Sequence, residues 1–591
     1  MKNFFKAAKV LRVLVALAVF CAVSAKFFDV YAALPQDFAE IPLGAQFSPS
    51  LIKMLSLGAV GAGAAFVSFT ILALVFGRAY CSFFCLFGIL MDILRRAALL
   101  PASIFPKSRL GKFCKSRFGS LKFKKARNGI RAAFLAIAAL SIGLGYGSLF
   151  GFIDPYSLYG KIMGSAAHPA ACVATNALSD ALYSREIFAV RPVNGDPRVP
   201  LAAFGLALFL LAAAGAAAAL RGRIFCNTIC PVGAFLGFFA KFSLFKISLD
   251  KNKCVSCGMC ERACKAQCID SKNKEADFSR CVLCFDCANN CPKNAVRFSL
   301  NPSARKIFNL EKKSVPAAQR QSGAELSAKA KLGRRDFSKA ALGFCALPLG
   351  GSARKGLGKG SGECTCEATP FGILGDRPDK RLAMPPGAGT MENFLECCTA
   401  CQRCTAACKA HILKPSLGEL GLAGLMQPYM DFSGGYCIHN CNECSAACPT
   451  GAIKFIGAEK KLRVKIGTAI FKKELCVVNT DGTDCAACAE HCPVSAIEML
   501  PFGEEEESLY IPHVHSEVCI GCGACEFICP VRPHKAIVVK GLRKQKISKV
   551  FDESMRIFKP ETRGKKSAQP KDPRGGTKPQ EPKNSGGDFP F

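Results

Sequence analysis

Four long apolar runs dominate the first 245 positions, at Val10 to Phe28, Ser56 to Phe76, Gly129 to Phe152 and Leu201 to Leu220. Each is long enough to cross a hydrocarbon core of about 30 Å as a helix, so the pattern predicts four transmembrane helices. After residue 245 the long runs give way to cysteine-bearing loops set between brief apolar stretches. Gly451-Ala452-Ile453-Lys454-Phe455 and Lys535-Ala536-Ile537-Val538-Val539 are examples, and they predict small α+β units. The chain is therefore expected to be multi-domain. An α-helical membrane domain spans 1–245, a first cysteine-rich α+β domain 246–305, a linker 306–390, a second cysteine-rich domain 391–545 and a disordered tail 546–591.

Charge gives the helices a direction. The loop from Arg78 to Arg131 carries thirteen basic residues, Arg95, Arg96, Lys107, Lys112, Lys122, Lys124, Lys125 and Arg127 among them, against the single acid Asp92. Such a loop belongs on the cytoplasmic side, and the nearly balanced loops 26–53 and 154–198 belong on the other. The expected location is a bacterial cytoplasmic membrane, crossed several times, with 246–305 inside. The first run, ending at Val23-Ser24-Ala25, also reads as a cleavable signal peptide, which would leave the remaining topology unchanged. The excess of 78 basic over 44 acidic residues does not point to nucleic acid, because the charges hug a membrane boundary without interleaved aromatics.

A repeat connects the inner ends of the second and fourth runs. Gly77-Arg78-Ala79-Tyr80-Cys81, leading to Cys85 and Gly88, matches Gly222-Arg223-Ile224-Phe225-Cys226, leading to Cys230 and Gly233. Cysteines four apart share a helix face, so Cys81, Cys85, Cys226 and Cys230 are candidate redox thiols lining one pocket. The plainer reading, free cysteines at home in apolar surroundings, stands beside it. Gly143, Gly147 and Gly151 recur at four-residue intervals and are expected to serve close helix packing.

Thirty-six cysteines in so long a chain do not describe a secreted disulfide scaffold. Most fall in quartets. Cys254, Cys257, Cys260 and Cys264 have the x2, x2, x3 spacing, and Cys281, Cys284, Cys287 and Cys291 repeat it before Pro292. This is the bacterial ferredoxin run, in which the fourth cysteine crosses to the partner cluster, so Cys264 is expected to serve the second cluster and Cys291 the first. Zinc is the competing ion, but zinc sites favour paired CxxC knuckles over three cysteines at two-residue gaps.

Four more quartets follow: Cys398, Cys401, Cys404 and Cys408; Cys437, Cys441, Cys444 and Cys448; Cys476, Cys485, Cys488 and Cys492; and Cys519, Cys522, Cys525 and Cys529. Six [4Fe-4S] clusters are expected in all. With so little ordinary core, the C-terminal domain should depend on its clusters to fold. Between the two cysteine-rich domains, Gly333-Arg334-Arg335-Asp336-Phe337-Ser338-Lys339 and the apolar stretch after it read as a twin-arginine export signal or as a basic linker beside a short buried helix. The glycines at 356, 358 and 360 lack the setting of a phosphate loop. Cys21, Cys114, Cys172, Cys268, Cys345, Cys364, Cys366 and Cys397 fall outside every quartet and read as bystanders. Of these, Cys268 and Cys397 lie beside ligands and are potential substitutes.

The paired membrane cysteine motifs followed by Cys254 to Pro292 resemble the NapH-type polyferredoxins and the NosR-type membrane proteins, and the chain from Arg334 onward resembles a NapG-type four-cluster protein fused to the first. Family members carry proline after the second cysteine of both membrane motifs; this sequence has Pro231 but Leu86. The resemblance implies an electron-transfer subunit rather than a stand-alone enzyme. It would relay electrons between the quinone pool and an extracytoplasmic reductase, with 391–545 exported. A redox-dependent maturation or regulatory factor for a metalloenzyme is the alternative. No haem, flavin or catalytic-triad motif is present, which leaves substrate chemistry to a partner.

Overall fold

The computed structural model of the chain describes residues 2–35, 38, 40–57, 60–193, 196–301, 382–502 and 509–558. The twin-arginine phrase, Cys345, Cys364, Cys366 and the glycines at 356, 358 and 360 lie outside the described residues. Residues up to Phe551 form one unit; those from Asp552 form another, described only around a 3₁₀ turn at Glu553–Met555.

The helices that frame the first unit are α1 (Lys2–Phe28), α2 (Ala64–Phe76), α3 (Leu86–Ile104), α4 (Asn128–Gly143), α5 (His168–Tyr183), α6 (Leu201–Arg221) and α7 (Pro231–Ala240). Two of the four predicted spans are long and apolar enough to cross a membrane, within α1 and α6. The other two are shorter than the sequence pattern predicts. The second apolar run is divided among helix Phe47–Leu57, a 3₁₀ turn at Val60–Gly63 and α2, whose 13 residues rise about 20 Å.

The third run is broken at a glycine. Gly145, at φ 76°, ends α4 in a Schellman motif, with Tyr146 N–H donating to Ser141 O at 2.8 Å and Gly145 N–H to Ile142 O at 3.2 Å. The chain then turns back through short helices at Gly147–Phe150 and Pro155–Ile162 and a π-helical turn, Met163–Ala167, into α5.

Both long helices reach from one cysteine-rich region to the other. At the start of α1, Phe5 packs on Phe285 with ring centroids 5.9 Å apart, and Lys9 pairs with Asp286 at 2.7 Å. At its end, Arg403 donates to Lys26 O at 3.0 Å and lies over the Phe27 ring. Helix α6 runs the opposite way. Its first turn buries Ala203 against Ala400 and Met426, and beyond its last turn Arg223 N–H donates to Lys265 O at 3.0 Å. A helix of 21 residues is about 30 Å long, which sets the distance between its two ends.

The cysteine-rich regions contain small two-stranded antiparallel sheets. Strands β1 (Phe245–Leu249) and β2 (Val296–Leu300) pair from Phe245 opposite Leu300 to Leu249 opposite Val296, closing the first region. In the C-terminal region β3 (Val464–Phe471) pairs with β6 (Ile537–Ile547), and β4 (Ile497–Phe502) with β5 (Leu509–Val514). These α+β units are small, and cysteine side chains make up much of their interiors.

The glycines expected to bring helices together serve another contact. A Cβ on Gly151 would lie 2.1 Å from Thr399 O, and one on Gly160 2.1 Å from Cys401 O. Nothing lies near Gly143. The small residues let the 145–164 segment lie directly against the Cys398–Cys404 loop rather than against a helix.

Candidate metal centres

In four cysteine loops the backbone is bent the same way. The residues on either side of the middle cysteine have positive φ: Ser256 and Gly258 around Cys257, Leu283 and Phe285 around Cys284, Ala400 and Gln402 around Cys401, and Gly521 and Gly523 around Cys522. For Leu283 and Phe285 this left-handed conformation costs on the order of 1–2 kcal/mol each, strain that is stored at functional sites when something else offsets it. Five loops add a positive-φ residue three positions after their last cysteine, at Gln267, Asn294, His411, Gly451 and Ser495.

The bends gather thiols in fours. Cys260 lies within electrostatic reach of Cys291, Cys254 and Cys257, and Cys287 of Cys284, Cys264 and Cys281. The exchange of fourth cysteines expected for this pair is therefore what the fold builds. Cys268 joins the second set as a fifth thiol, its Sγ 3.5 Å from that of Cys264, whose thiol its hydrogen bond brings down to about 7.

The C-terminal quartets, read as consecutive in the sequence, are regrouped by the structure. Cys404 faces Cys398, Cys401 and Cys448, while Cys444 faces Cys437, Cys408 and Cys441. Likewise Cys488 faces Cys485, Cys476 and Cys529, and Cys525 faces Cys519, Cys522 and Cys492. The reason is local. After the third cysteine of each loop one helical turn carries the chain away from its own site, so the fourth thiol emerges beside the neighbouring one. By their strongest electrostatic neighbours the 24 cysteines assigned to quartets sort into six groups of four, exchanged in three pairs, with Cys268 beside one of them.

These groups suit a cubane. Peptide N–H groups donate to sulfur from Ala295 to Cys291, Ile453 to Cys448, Ala496 to Cys492 and Ala469 to Cys519, at 3.2 to 3.4 Å. Such donors stabilise thiolate-bound iron. Burial pushes the metal-free thiols of Cys260 and Cys401 up to about 11, so binding must release protons.

Lys161 stands at the group containing Cys401. Its Nζ donates to Gly151 O at 2.9 Å and Thr399 O at 3.3 Å, and burial brings its ammonium down to about 8. Sequence reading passed over this lysine, because the cysteine loop it reaches through Thr399 lies 238 positions away in the chain.

The duplicated phrase forms a further set. Cys230 faces Cys226, Cys85 and Cys81, so the four candidate redox thiols meet in one buried place. Cys85 and Cys230 cap α3 and α7, and Gly233 N–H donates to Cys230 Sγ at 3.3 Å. The two arginines cross between the halves. Arg78 donates to Cys226 O at 2.8 Å, to Asn227 Oδ1 at 2.8 Å and toward Cys81 Sγ at 3.8 Å. Arg223 donates to Cys81 O and forks onto Asp92 at 3.1 and 2.9 Å, with Lys265 on the same carboxylate at 3.1 Å. Two fully buried guanidiniums beside four thiols fit an anionic occupant, such as a thiolate-ligated iron centre. The same buried core holds Cys284 of the first region and Cys401 of the C-terminal one.

Known 4Fe-4S families match the C-terminal cysteine loops and both copies of the membrane phrase. Residues 397–453 and 483–532 each match the 4Fe-4S dicluster domain family, and residues 59–112 and 201–250 match a 4Fe-4S binding domain family. An uncharacterized protein of Methanocaldococcus jannaschii is 41% identical over 101 residues, 17% of this chain and 40% of that one. The methylamine utilization ferredoxin-type protein MauM of Paracoccus denitrificans is 35% identical over 167 residues, 27% of this chain and 72% of that one. The ferredoxin-type protein NapF of Escherichia coli K12 is 30% identical over 168 residues, 28% of this chain and 92% of that one. No solved structure matches. Repeated cysteine groups, backbone strain around them and these relatives converge: the chain belongs to the ferredoxin-type 4Fe-4S iron–sulfur proteins exemplified by MauM and NapF.

Proposed function

We propose that the chain is an electron conduit of a bacterial cytoplasmic membrane, joining the quinone pool to an extracytoplasmic reductase through six [4Fe-4S] clusters and a further iron centre on the duplicated phrase. In this reading a NapH-type membrane unit is fused to a NapG-type exported one. A cubane on four thiolates exchanges one electron with little rearrangement, so a row of them divides a long distance into short hops.

The observation that carries the reading is the arrangement of α1 and α6. Each has one end against the 246–301 region and the other against the C-terminal cysteine loops. Helices of that length and apolarity match a bilayer, and α2 and α4 are the shorter helices of the same membrane unit. The basic 78–131 loop supports a cytoplasmic location for the first region, which leaves the C-terminal region outside. Lys161 and Arg403 hold the C-terminal loops against the outer ends of the helices. Arg78 and Arg223 hold the two membrane motifs together at the inner end. Cys81, Cys85, Cys226 and Cys230 lie between the two cysteine-rich regions, where a redox group would shorten the longest gap.

Menaquinol added to anaerobic, detergent-solubilised protein is expected to reduce the clusters, read by EPR. Protease added to intact spheroplasts is expected to remove 391–545 and spare 246–305. Failure of menaquinol to reduce any centre, or protection of both regions, would overturn the proposal.

A further inference from the structure

Beside the Cys408 end of one cysteine loop, where His411 N–H donates to Cys408 O at 3.0 Å, α5 and the C-terminal region bring together His168, Cys172 and His411. All three are buried, at 3%, 0% and 6% exposure. One donor atom from each lies within 4.8 Å of the other two. His168 and Cys172 are one helical turn apart on α5, directly after the π-helical turn Met163–Ala167, and π-turns are frequent at functional sites. His411 arrives from the far part of the chain at the positive-φ position after Cys408, where the other loops carry Gln267, Asn294, Gly451 or Ser495.

The tautomer of His168 follows from its partner. Its Nδ1 lies 2.7 Å from Phe27 O, and a carbonyl only accepts, so Nδ1 carries the proton. Nε2 is then the lone-pair nitrogen, and it faces Cys172 Sγ at 3.6 Å. A backbone carbonyl holding the outer nitrogen of an imidazole is the support that metal-binding histidines use. His411 supplies an independent sign. Its Nε2 is buried without a hydrogen-bond partner, an unfavourable state unless something binds there.

We propose that His168 Nε2, Cys172 Sγ and His411 Nε2 bind one soft d10 metal ion, Cu+ or Zn2+, that fastens α5 to the C-terminal region. Around such an ion, donors sit roughly 3.3–3.6 Å apart, so small side-chain rotations close the site. Binding forms two metal–nitrogen bonds and one metal–sulfur bond, and the Cys172 thiol gives its proton to solvent. The flanking charges balance, Arg403 and Lys414 acting on the two imidazoles with Asp29 and Asp196 opposing them, so a neutral Cu+–thiolate site and a singly positive Zn2+–thiolate site both fit the surroundings.

The test uses full-length protein from cells grown with both metals, purified anaerobically. Elemental analysis is expected to find one equivalent of copper or zinc in addition to iron, with X-ray absorption at that metal's edge showing one sulfur and two nitrogen neighbours. Cys172→Ser, nearly isosteric, and His411→Asn, which tolerates positive φ, should each lose that equivalent while retaining full iron and the reduced-cluster EPR signal. Wild-type protein with neither metal, variants that keep it, or an edge spectrum with no sulfur neighbour would overturn the assignment.

Discussion

Arg78 on one half of the duplicated membrane phrase donates to the carbonyl of Cys226 on the other half at 2.8 Å, and Arg223 returns the contact to Cys81. The two halves are locked by exchanged arginines around four thiols. Arg78→Ala leaves two buried acceptors, Asn227 Oδ1 and Cys226 O, unpaired and should cost about 1–3 kcal/mol for each. Arg78→Lys should restore little, because one ammonium cannot reproduce a fork that meets Asn227, Cys226 and Cys81 together. Thermal unfolding in detergent checks both.

The exchanged cysteines make a prediction about pairs of mutations. Cys448→Ser should impair the same cluster as Cys398→Ser, so the double variant should lose no more iron than either single one. Cys408→Ser combined with Cys398→Ser should lose two clusters' worth. Iron and sulfide analysis of the anaerobic proteins decides, and the opposite pattern would restore the consecutive grouping.

Asp92 should make stability fall on the acid side. Burial alone would raise its carboxyl, but Arg223 and Lys265 outweigh burial and hold it well below the usual range. A depressed folded value contributes stability above the unfolded value of about 4, which is lost as the pH falls below it. The thermal midpoint should therefore begin to drop below about pH 5 and fall most steeply below about pH 4. Asp92→Asn should be less stable at neutral pH and flatter over that interval.

Lys161→Met removes a buried cation from beside Cys398 and Cys401. Reduction adds negative charge, so loss of the ammonium should make that cluster harder to reduce. A fall on the order of 60 mV, equal to about 1.4 kcal/mol, is expected in an EPR-monitored redox titration, with the other clusters unmoved.

Much of the candidate site was legible in the sequence because cluster ligation is local. The spacing from Cys254 to Cys264 and the doubled Gly-Arg phrase each lie within about a dozen residues. What depended on distant partners was not. The crossing of the fourth cysteine read at Cys264 and Cys291 is signalled at Cys408 and Cys448 only by analogy of spacing, and the His168–Cys172 pair becomes a trio only when His411, 243 residues after His168, folds onto it. The third apolar run looked continuous because hydropathy does not register φ, and Gly145 ends α4 by taking a left-handed conformation in the middle of that run. Gly147 and Gly151 were legible as contact residues, but what they contact was not.

Iron and acid-labile sulfide per chain test the central claim most directly. Protein isolated without oxygen should contain them in equal amounts, about 24 of each from the six cysteine groups and about 28 with the Cys81, Cys85, Cys226 and Cys230 set filled by a cubane. Zinc in their place, or iron without matching sulfide, would contradict the account.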